Sequence, residues 1–128
     1  MSVRFIGTGT GGGGGGGAPV FANIVTATAA SSQDNYAPAG FSNTTSFLVI
    51  TPASGGSTIN GLSSTGFING QSLQIRNGST TDDLDFPNLA GTSLAANQFA
   101  NLDNGTVSIG KNGSAILTYY NSQWTFSS

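Results

Sequence analysis

The acidic residues near the middle of the chain are the first candidates for chemistry, because Asp82, Asp83 and Asp85 are its only clustered acids. Two separated carboxylates can catalyse glycoside hydrolysis. The chain has no Glu, however, and no other acid lies in this stretch to complete such a pair. Oxygen ligands at alternating positions can instead bind Ca²⁺, and Asp83 and Asp85 would share one strand face close to Asn88. Hydrolysis and Ca²⁺ binding are therefore the two chemical hypotheses for this cluster.

The same residues also fit a structural interpretation that needs no ligand. A polar turn over residues 79–83 would lead into a short strand at residues 84–86, which Pro87 would end. We therefore expect the aspartates to lie in a turn and a short strand that have a structural role. Whether Asp83 and Asp85 bind Ca²⁺ stays open.

The residue types that most enzymes use are missing from the chain, which contains no Cys and no His. It therefore has no disulfide, no thiolate nucleophile, no zinc site of the usual Cys/His kind and no histidine general base. We expect no catalytic residue, no metal ligand and no cofactor, and we predict that the protein is not an enzyme.

A glycine pattern near the N-terminus formally matches a dinucleotide-binding motif, with Gly7, Gly9 and Gly12 at the required spacing. That motif works only as a turn from a strand into a helix, whose N-terminus holds the pyrophosphate. More glycines and then Ala18-Pro19 follow here, so no helix is expected and the match is formal only. A phosphate-binding loop fails as well, because Lys111 is the only lysine and follows no such loop.

Four glycosylation sequons begin at Asn43, Asn77, Asn104 and Asn112. Such sequons arise by chance in a chain this rich in Asn, Ser and Thr. The first residues lack the apolar stretch of a signal peptide. We therefore expect the sequons to be unused and the chain to be made in a cytoplasm.

The chain carries few charges, since Asp, Glu, Lys and Arg make up 6% of it and the net charge is −2. The three basic residues, Arg4, Arg76 and Lys111, are far apart in sequence and form no basic patch for a phosphate backbone, so we expect no nucleic-acid partner. The apolar runs fall far short of the roughly 20 residues of a membrane helix, so we expect no membrane partner. An exposed monomer normally carries more charge, and the deficit indicates burial in an assembly.

Residues 1–46 differ in kind from the rest and are predicted to be an extended Gly-rich arm with a connecting segment. Seven glycines in a row, residues 11–17, have no side chains with which to hold a fixed conformation. We therefore expect a neighbouring chain to hold the arm. The predicted contact residues are Val3, Arg4, Phe5, Ile6, Gly11, Gly14, Gly17, Val20 and Phe21.

Residues 47–128 are predicted to form an antiparallel β-domain, either a small sandwich or a barrel. Leu73 and Ile75 alternate with polar residues, as do Val107 and Ile109, which is the period of half-buried strands. Five Asn-Gly steps, at residues 60, 69, 77, 104 and 112, favour tight turns. For residues 93–102 we expect a loop or a strand rather than a helix.

The C-terminal aromatic residues are predicted to pack in the core or in a subunit interface. Residues 115–120 are apolar on both alternations and indicate a central strand, after which a terminal hairpin returns through Trp124 and Phe126. Tyr119 and Tyr120 are adjacent and must point to opposite faces. A sugar-stacking platform is the alternative for Tyr119, Tyr120 and Trp124. The apolar content predicts a thin core, which favours extra burial in a homotrimer.

Two C-terminal phrases carry a family resemblance: GQSLQIRNG at residues 70–78 and NGSAILTYYNSQW at residues 112–124. Together they resemble a β-structured module of tailed-bacteriophage virion proteins, which occurs in fibre and spike tips and in capsid decoration proteins, usually as homotrimers. The resemblance covers about 55 residues of the chain.

The resemblance implies a virion structural protein. The short length, without long repeats or a coiled-coil stalk, favours a capsid decoration (cement) protein that binds the major capsid protein as a homotrimer. Located on the capsid surface, it would stabilise the shell against packaged DNA. The alternative is a tail-fibre or spike tip that binds a glycan of the host surface.

Overall fold

The structure is a computed structural model that describes residues 23–127. Two short 3₁₀ turns, at Ala95–Asn97 and Leu102–Asn104, are the only helical elements in this range. The strands are β1 (Ile24–Thr28), β2 (Ser32–Gln33), β3 (Phe47–Thr51), β4 (Ser57–Ile59), β5 (Ser72–Asn77), β6 (Leu84–Phe86), β7 (Val107–Ile109), β8 (Ser114–Tyr120) and β9 (Gln123–Ser127). The predicted all-β class is confirmed.

The strands form two sheets, with the orders β1-β3-β5-β8-β9 and β2-β4-β6-β7. From β1 to β6 the chain alternates between the sheets, so each pair of consecutive strands makes one coil. The coils stack in parallel: Ile24 lies beside Phe47 and Phe47 beside Gln74, so paired positions recur after 23 and 27 residues. Parallel neighbours need a long crossover, and the strand in the other sheet lies within each crossover.

At the other end of the stack, β7, β8 and β9 form antiparallel pairs and cap it. β7 pairs with β6, β8 pairs with β5, and β9 pairs with β8. The predicted terminal hairpin is confirmed, and its turn residues Asn121 and Ser122 have φ angles of 54° and 60°. A two-residue hairpin turn of type I′ requires positive φ at both central positions.

The prediction of an antiparallel domain over residues 47–128 is wrong in part, because the sheets are mixed: β3–β5 and β4–β6 are parallel there, while β5–β8, β6–β7 and β8–β9 are antiparallel as predicted. The pairs β1–β3 and β2–β4, which involve residues before 47, are parallel too. Neither sheet closes on itself among the described residues, so the barrel alternative is not formed there. The physical reason is that side-chain alternation has the same period in both kinds of sheet and carries no information on strand direction.

The segment assigned to the arm and its connection contributes strands to both sheets. β1 and β2 lie within residues 23–46 and pair with β3 and β4. Residues 23–46 therefore belong to the same two sheets as the predicted β-domain.

A single buried cluster contains residues from both sheets. The first sheet contributes Leu48, Ile50, Leu73, Ile75, Leu117, Tyr119 and Trp124, and the second contributes Ile59, Leu84, Phe86 and Ile109. Phe86 of β6 meets Phe126 of β9 with ring centroids 5.1 Å apart, so the aromatic residues link the two sheets. Each fully buried large side chain contributes about 1.5–3 kcal/mol.

The individual strand predictions are confirmed where apolar residues alternate. Leu73 and Ile75 are buried on β5, while Gln74 and Arg76 are only half-buried. Residues 84–86 form β6, and β8 lies inside its sheet, as expected for a central strand. Residues 93–102 contain no α-helix; they include the 3₁₀ turn Ala95–Asn97, and the second 3₁₀ turn begins at Leu102.

Candidate interaction surfaces

Two of the three clustered aspartates make side-chain hydrogen bonds within the fold. The Asp82 carboxylate accepts hydrogen bonds from the Gly55 N–H at 3.1 Å and from the Thr81 hydroxyl at 2.9 Å. The Asp85 carboxylate, on β6, accepts a hydrogen bond from the Ser108 hydroxyl on β7. These contacts match the structural interpretation of the cluster. Within residues 23–127 no three His, Cys, Asp or Glu side chains come close enough together to hold a metal ion.

The C-terminal aromatic residues divide between the core and the surface. Trp124 is fully buried, and its ring packs edge-on against Tyr119 with centroids 5.0 Å apart. Phe126 is half-buried beside Phe99. Tyr120 points the other way and is 62% exposed, as its position next to Tyr119 requires. Because the Trp124 ring has no exposed face, these residues form no sugar-stacking platform.

Buried asparagine side chains tie the coils together, and the sequence analysis missed them. The Asn97 side chain accepts hydrogen bonds from the Ser64 N–H and hydroxyl, at 2.9 and 2.8 Å, and donates to Asn35 at 2.9 Å. The Asn101 side chain donates to the carbonyls of Phe86 and Gly105, both at 2.8 Å. No signal in a single sequence separates these asparagines from the turn-forming ones.

The outer edge of β1 has no neighbouring strand among the described residues. The Asn23 carbonyl and the Ala29 N–H both bond towards β3. Because peptide groups alternate in direction along a strand, the N–H and C=O groups of Ile24 and Thr26 point away from β3. β2 is the outermost described strand of the other sheet, so among residues 23–127 both strands of the first coil have open edges. An open edge is a template on which another polypeptide can add a strand.

A groove of about 350 Å³ lies beside the open edge of β1. Ile24, at its rim, is 60% exposed, which is unusual for a large apolar side chain on a strand. Val25 and Ala27 pack against the core but are only half-buried, whereas their neighbours on β3, Leu48 and Ile50, are completely buried. The groove is lined by Asn23, Ile24, Val25, Thr26, Ala39, Gly40, Thr44 and Thr45.

A second groove, of about 260 Å³ and mostly apolar, lies at the capped end of the stack. Its larger side chains are those of Leu102, Val107, Ile116 and Phe126. Leu102 is 71% exposed, so an apolar side chain is open to solvent here too. The two grooves therefore lie at opposite ends of the stack of coils.

The predicted arm contacts lie outside the described residues, as does the formal dinucleotide motif at Gly7, Gly9 and Gly12. These arm residues are Val3, Arg4, Phe5, Ile6, Gly11, Gly14, Gly17, Val20 and Phe21. The described part of the chain begins at Asn23, the residue immediately before β1.

Comparisons with family models, with curated proteins and with solved structures find no match to this chain. In the part of the chain that the structure describes, no helix has the length and apolar character needed to cross a membrane.

Proposed function

We propose that this protein is a structural component of a bacteriophage virion, most directly a capsid decoration protein that binds the major capsid protein as a homotrimer. The single observation that carries the proposal is the open edge of the first coil. At this edge Ile24 and Thr26 direct backbone hydrogen-bonding groups away from the sheet, next to a groove with an exposed Ile24 side chain. The sandwich arrangement, the extended Gly-rich arm and the location on the capsid surface belong to the same proposal.

The chemistry of the surface supports an assembly role. The chain has few charges, and the described carboxylates of Asp82 and Asp85 are engaged in hydrogen bonds within the fold. A surface that is polar but weakly charged can be buried against another protein with little cost for desolvating ions. Repeated over many copies, a modest binding energy per subunit would stabilise a shell substantially.

The proposal is tested by blocking the edge of β1. The Thr26 N–H points away from β3, so Thr26→Pro would remove an outward donor and obstruct an added strand, while the bonds between β1 and β3 remain. Thr26→Val keeps the N–H and the branched shape, and it serves as the matched control. Each purified variant would be mixed with phage particles that lack the protein, and the bound copies would be counted by quantitative mass spectrometry.

We expect wild-type protein and Thr26→Val to saturate the capsid, whereas Thr26→Pro and a chain lacking residues 1–20 do not bind. Circular dichroism must show that both defective variants keep the β-sheet signal. Full occupancy by Thr26→Pro would contradict the role of the edge, and full occupancy by the truncated chain would contradict the role of the arm.

A tail-fibre or spike tip is the second candidate function. The difference between the two ends of the coil stack favours it. In the part of the chain that the structure describes, the stack is open at β1 and β2 and is capped at the other end by antiparallel strands. Such a stack could continue from a shaft and end at a distal cap. The number of copies per virion separates the two candidates, because a decoration protein occurs in many copies over the capsid. A tip module occurs in few copies at a tail or vertex and binds a host glycan.

A further inference from the structure

Asparagine followed by glycine is prone to a spontaneous reaction between neighbouring groups of the chain. The glycine amide nitrogen attacks the asparagine side-chain carbonyl carbon, which requires an accessible N–H and a side chain that can turn towards it. Asparagine is accordingly one of the thermolabile residues of proteins. The chain offers five such steps, at Asn60, Asn69, Asn77, Asn104 and Asn112.

The attacking N–H is already engaged at three of the five steps. The amides of Gly70, Gly78 and Gly113 donate hydrogen bonds of 2.8, 2.9 and 2.8 Å to backbone carbonyls. At one of these steps the asparagine itself, Asn77, is completely buried and bonded through both ends of its carboxamide. Attack at these three steps would first have to break the bond that each glycine donates.

At a fourth step, Asn60-Gly61, hydrogen bonds hold the asparagine side chain in place. Asn60 donates from Nδ2 to Asp34 at 2.7 Å and to Ser32 at 3.1 Å. The following Gly61 is buried, and a Cβ placed on it would lie 2.4 Å from the Ser93 hydroxyl oxygen. The closeness of these contacts leaves little room for the five-membered ring of the intermediate.

The fifth step, Asn104-Gly105, has none of these restraints among the described residues. Residues 102–106 are all exposed. Within residues 23–127 neither the Asn104 side chain nor the Gly105 N–H makes a hydrogen bond, although the Gly105 carbonyl accepts one from Asn101. Asn104 has a φ of 55°, and Asp103 before it has a φ of 62°, so the step lies in a turn with two successive left-handed residues.

We propose that Asn104-Gly105 is a site of spontaneous deamidation, and that the fold protects the other four steps. The Gly105 nitrogen forms a bond to Cγ of Asn104, the Cγ–Nδ2 bond breaks, and ammonia leaves with the proton that the Gly105 nitrogen loses. Water then opens the resulting succinimide at either carbonyl carbon, giving aspartate or isoaspartate. No oxidant, metal or enzyme is needed.

The reaction would disturb the hydrogen bond between the buried Asn101 side chain and Gly105. The carbonyl of Gly105 accepts a hydrogen bond of 2.8 Å from Nδ2 of Asn101, whose Oδ1 is buried without a partner within the described chain. Isoaspartate adds one methylene to the main chain immediately before Gly105, so that carbonyl would shift. The turn beside Leu102 and the apolar groove of the capped end would loosen with age and gain a negative charge.

The test uses full-length protein incubated at mildly alkaline pH, either folded or in concentrated urea. Trypsin cleaves after Arg76 and Lys111, which separates Asn104 from the steps at Asn60, Asn69 and Asn112. Fragment-ion mass spectrometry then separates it from Asn77 in the same peptide. We expect deamidation of the folded protein to accumulate first at Asn104, with the other four steps catching up only in urea.

Gly105→Ala is the matched variant for the test. Gly105 has ordinary extended dihedrals, φ −107° and ψ 178°, and a Cβ there would meet nothing closer than 4.0 Å. We expect Gly105→Ala to keep the folded circular dichroism spectrum and to lose most of the deamidation at Asn104, because the added methyl group hinders attack. Equal rates at all five steps in the folded protein, or faster reaction at Asn112 than at Asn104, would overturn the proposal. Undiminished reaction in Gly105→Ala would also overturn it.

Discussion

Among the asparagines of the five Asn-Gly steps, Asn77 should be the one whose replacement by alanine destabilises the protein most. Asn77 ends β5 and is completely buried. Its Nδ2 donates to the carbonyls of Asp82 at 2.8 Å and Ile109 at 2.9 Å, and its Oδ1 accepts from the Ser79 N–H at 2.8 Å. One side chain therefore joins β5 to the turn before β6 and to the end of β7.

The magnitude follows from those three bonds. Each contributes about 0.5–1.5 kcal/mol net, and removing the carboxamide leaves three backbone groups without their partner in or near the core. We expect Asn77→Ala to lower the free energy of unfolding by about 2–4 kcal/mol. That loss is a large fraction of the roughly 5–15 kcal/mol of a typical domain.

The assay is urea unfolding followed by the fluorescence of Trp124, which is the only tryptophan and is completely buried. The control is Asn69→Ala. Asn69 also precedes a glycine, but it is exposed and accepts one hydrogen bond, of 3.0 Å from the Asn121 N–H. We expect the control to cost about 1 kcal/mol or less. Circular dichroism melts should give the same ranking.

A loss of under about 1 kcal/mol for Asn77→Ala, or a loss equal to that of Asn69→Ala, would refute the reasoning. Either outcome would mean that water replaces the carboxamide at no cost and that the buried hydrogen bonds of Asn77 do not hold the turns.

Two further substitutions test close packing and a buried hydroxyl. Gly61→Ala should destabilise by about 1–3 kcal/mol, because its Cβ would lie 2.4 Å from the Ser93 hydroxyl oxygen, while Gly91→Ala, with open space around it, should change stability by under about 0.5 kcal/mol in the same thermal melt. Tyr36→Phe should cost about 1 kcal/mol at neutral pH, because it removes the 2.8 Å bond to the Thr28 carbonyl. Burial raises the pKa of Tyr36 above its ordinary value of 10.0, so its stabilising contribution is complete below that pH and is lost as the pH rises further. A pH series of melts should show a steeper alkaline decline for wild type than for Tyr36→Phe, and parallel curves would contradict this.

The candidate surfaces were only partly predictable from the sequence. The opposite orientations of Tyr119 and Tyr120 followed from strand geometry and are confirmed. The open edge of β1 was not foreseen, because an edge is defined by which strand lies beside it, and nothing local to Ile24 or Thr26 reports its neighbours. The roles of Asn77 and Asn97 were hidden for a similar reason, since their partners lie up to 62 residues away along the chain.

Composition and alternation by themselves determined the all-β class and the positions of β5, β6 and β8, because a strand that buries one face needs apolar residues at every second position. The terminal hairpin was determined in the same way, by two apolar strands on either side of Asn121 and Ser122. Strand direction, the stacking of coils and the open edge of β1 were decided only by the tertiary structure. The physical reason is that burial acts on side chains one residue at a time, whereas pairing is a choice among distant backbones whose hydrogen-bonding groups are chemically identical.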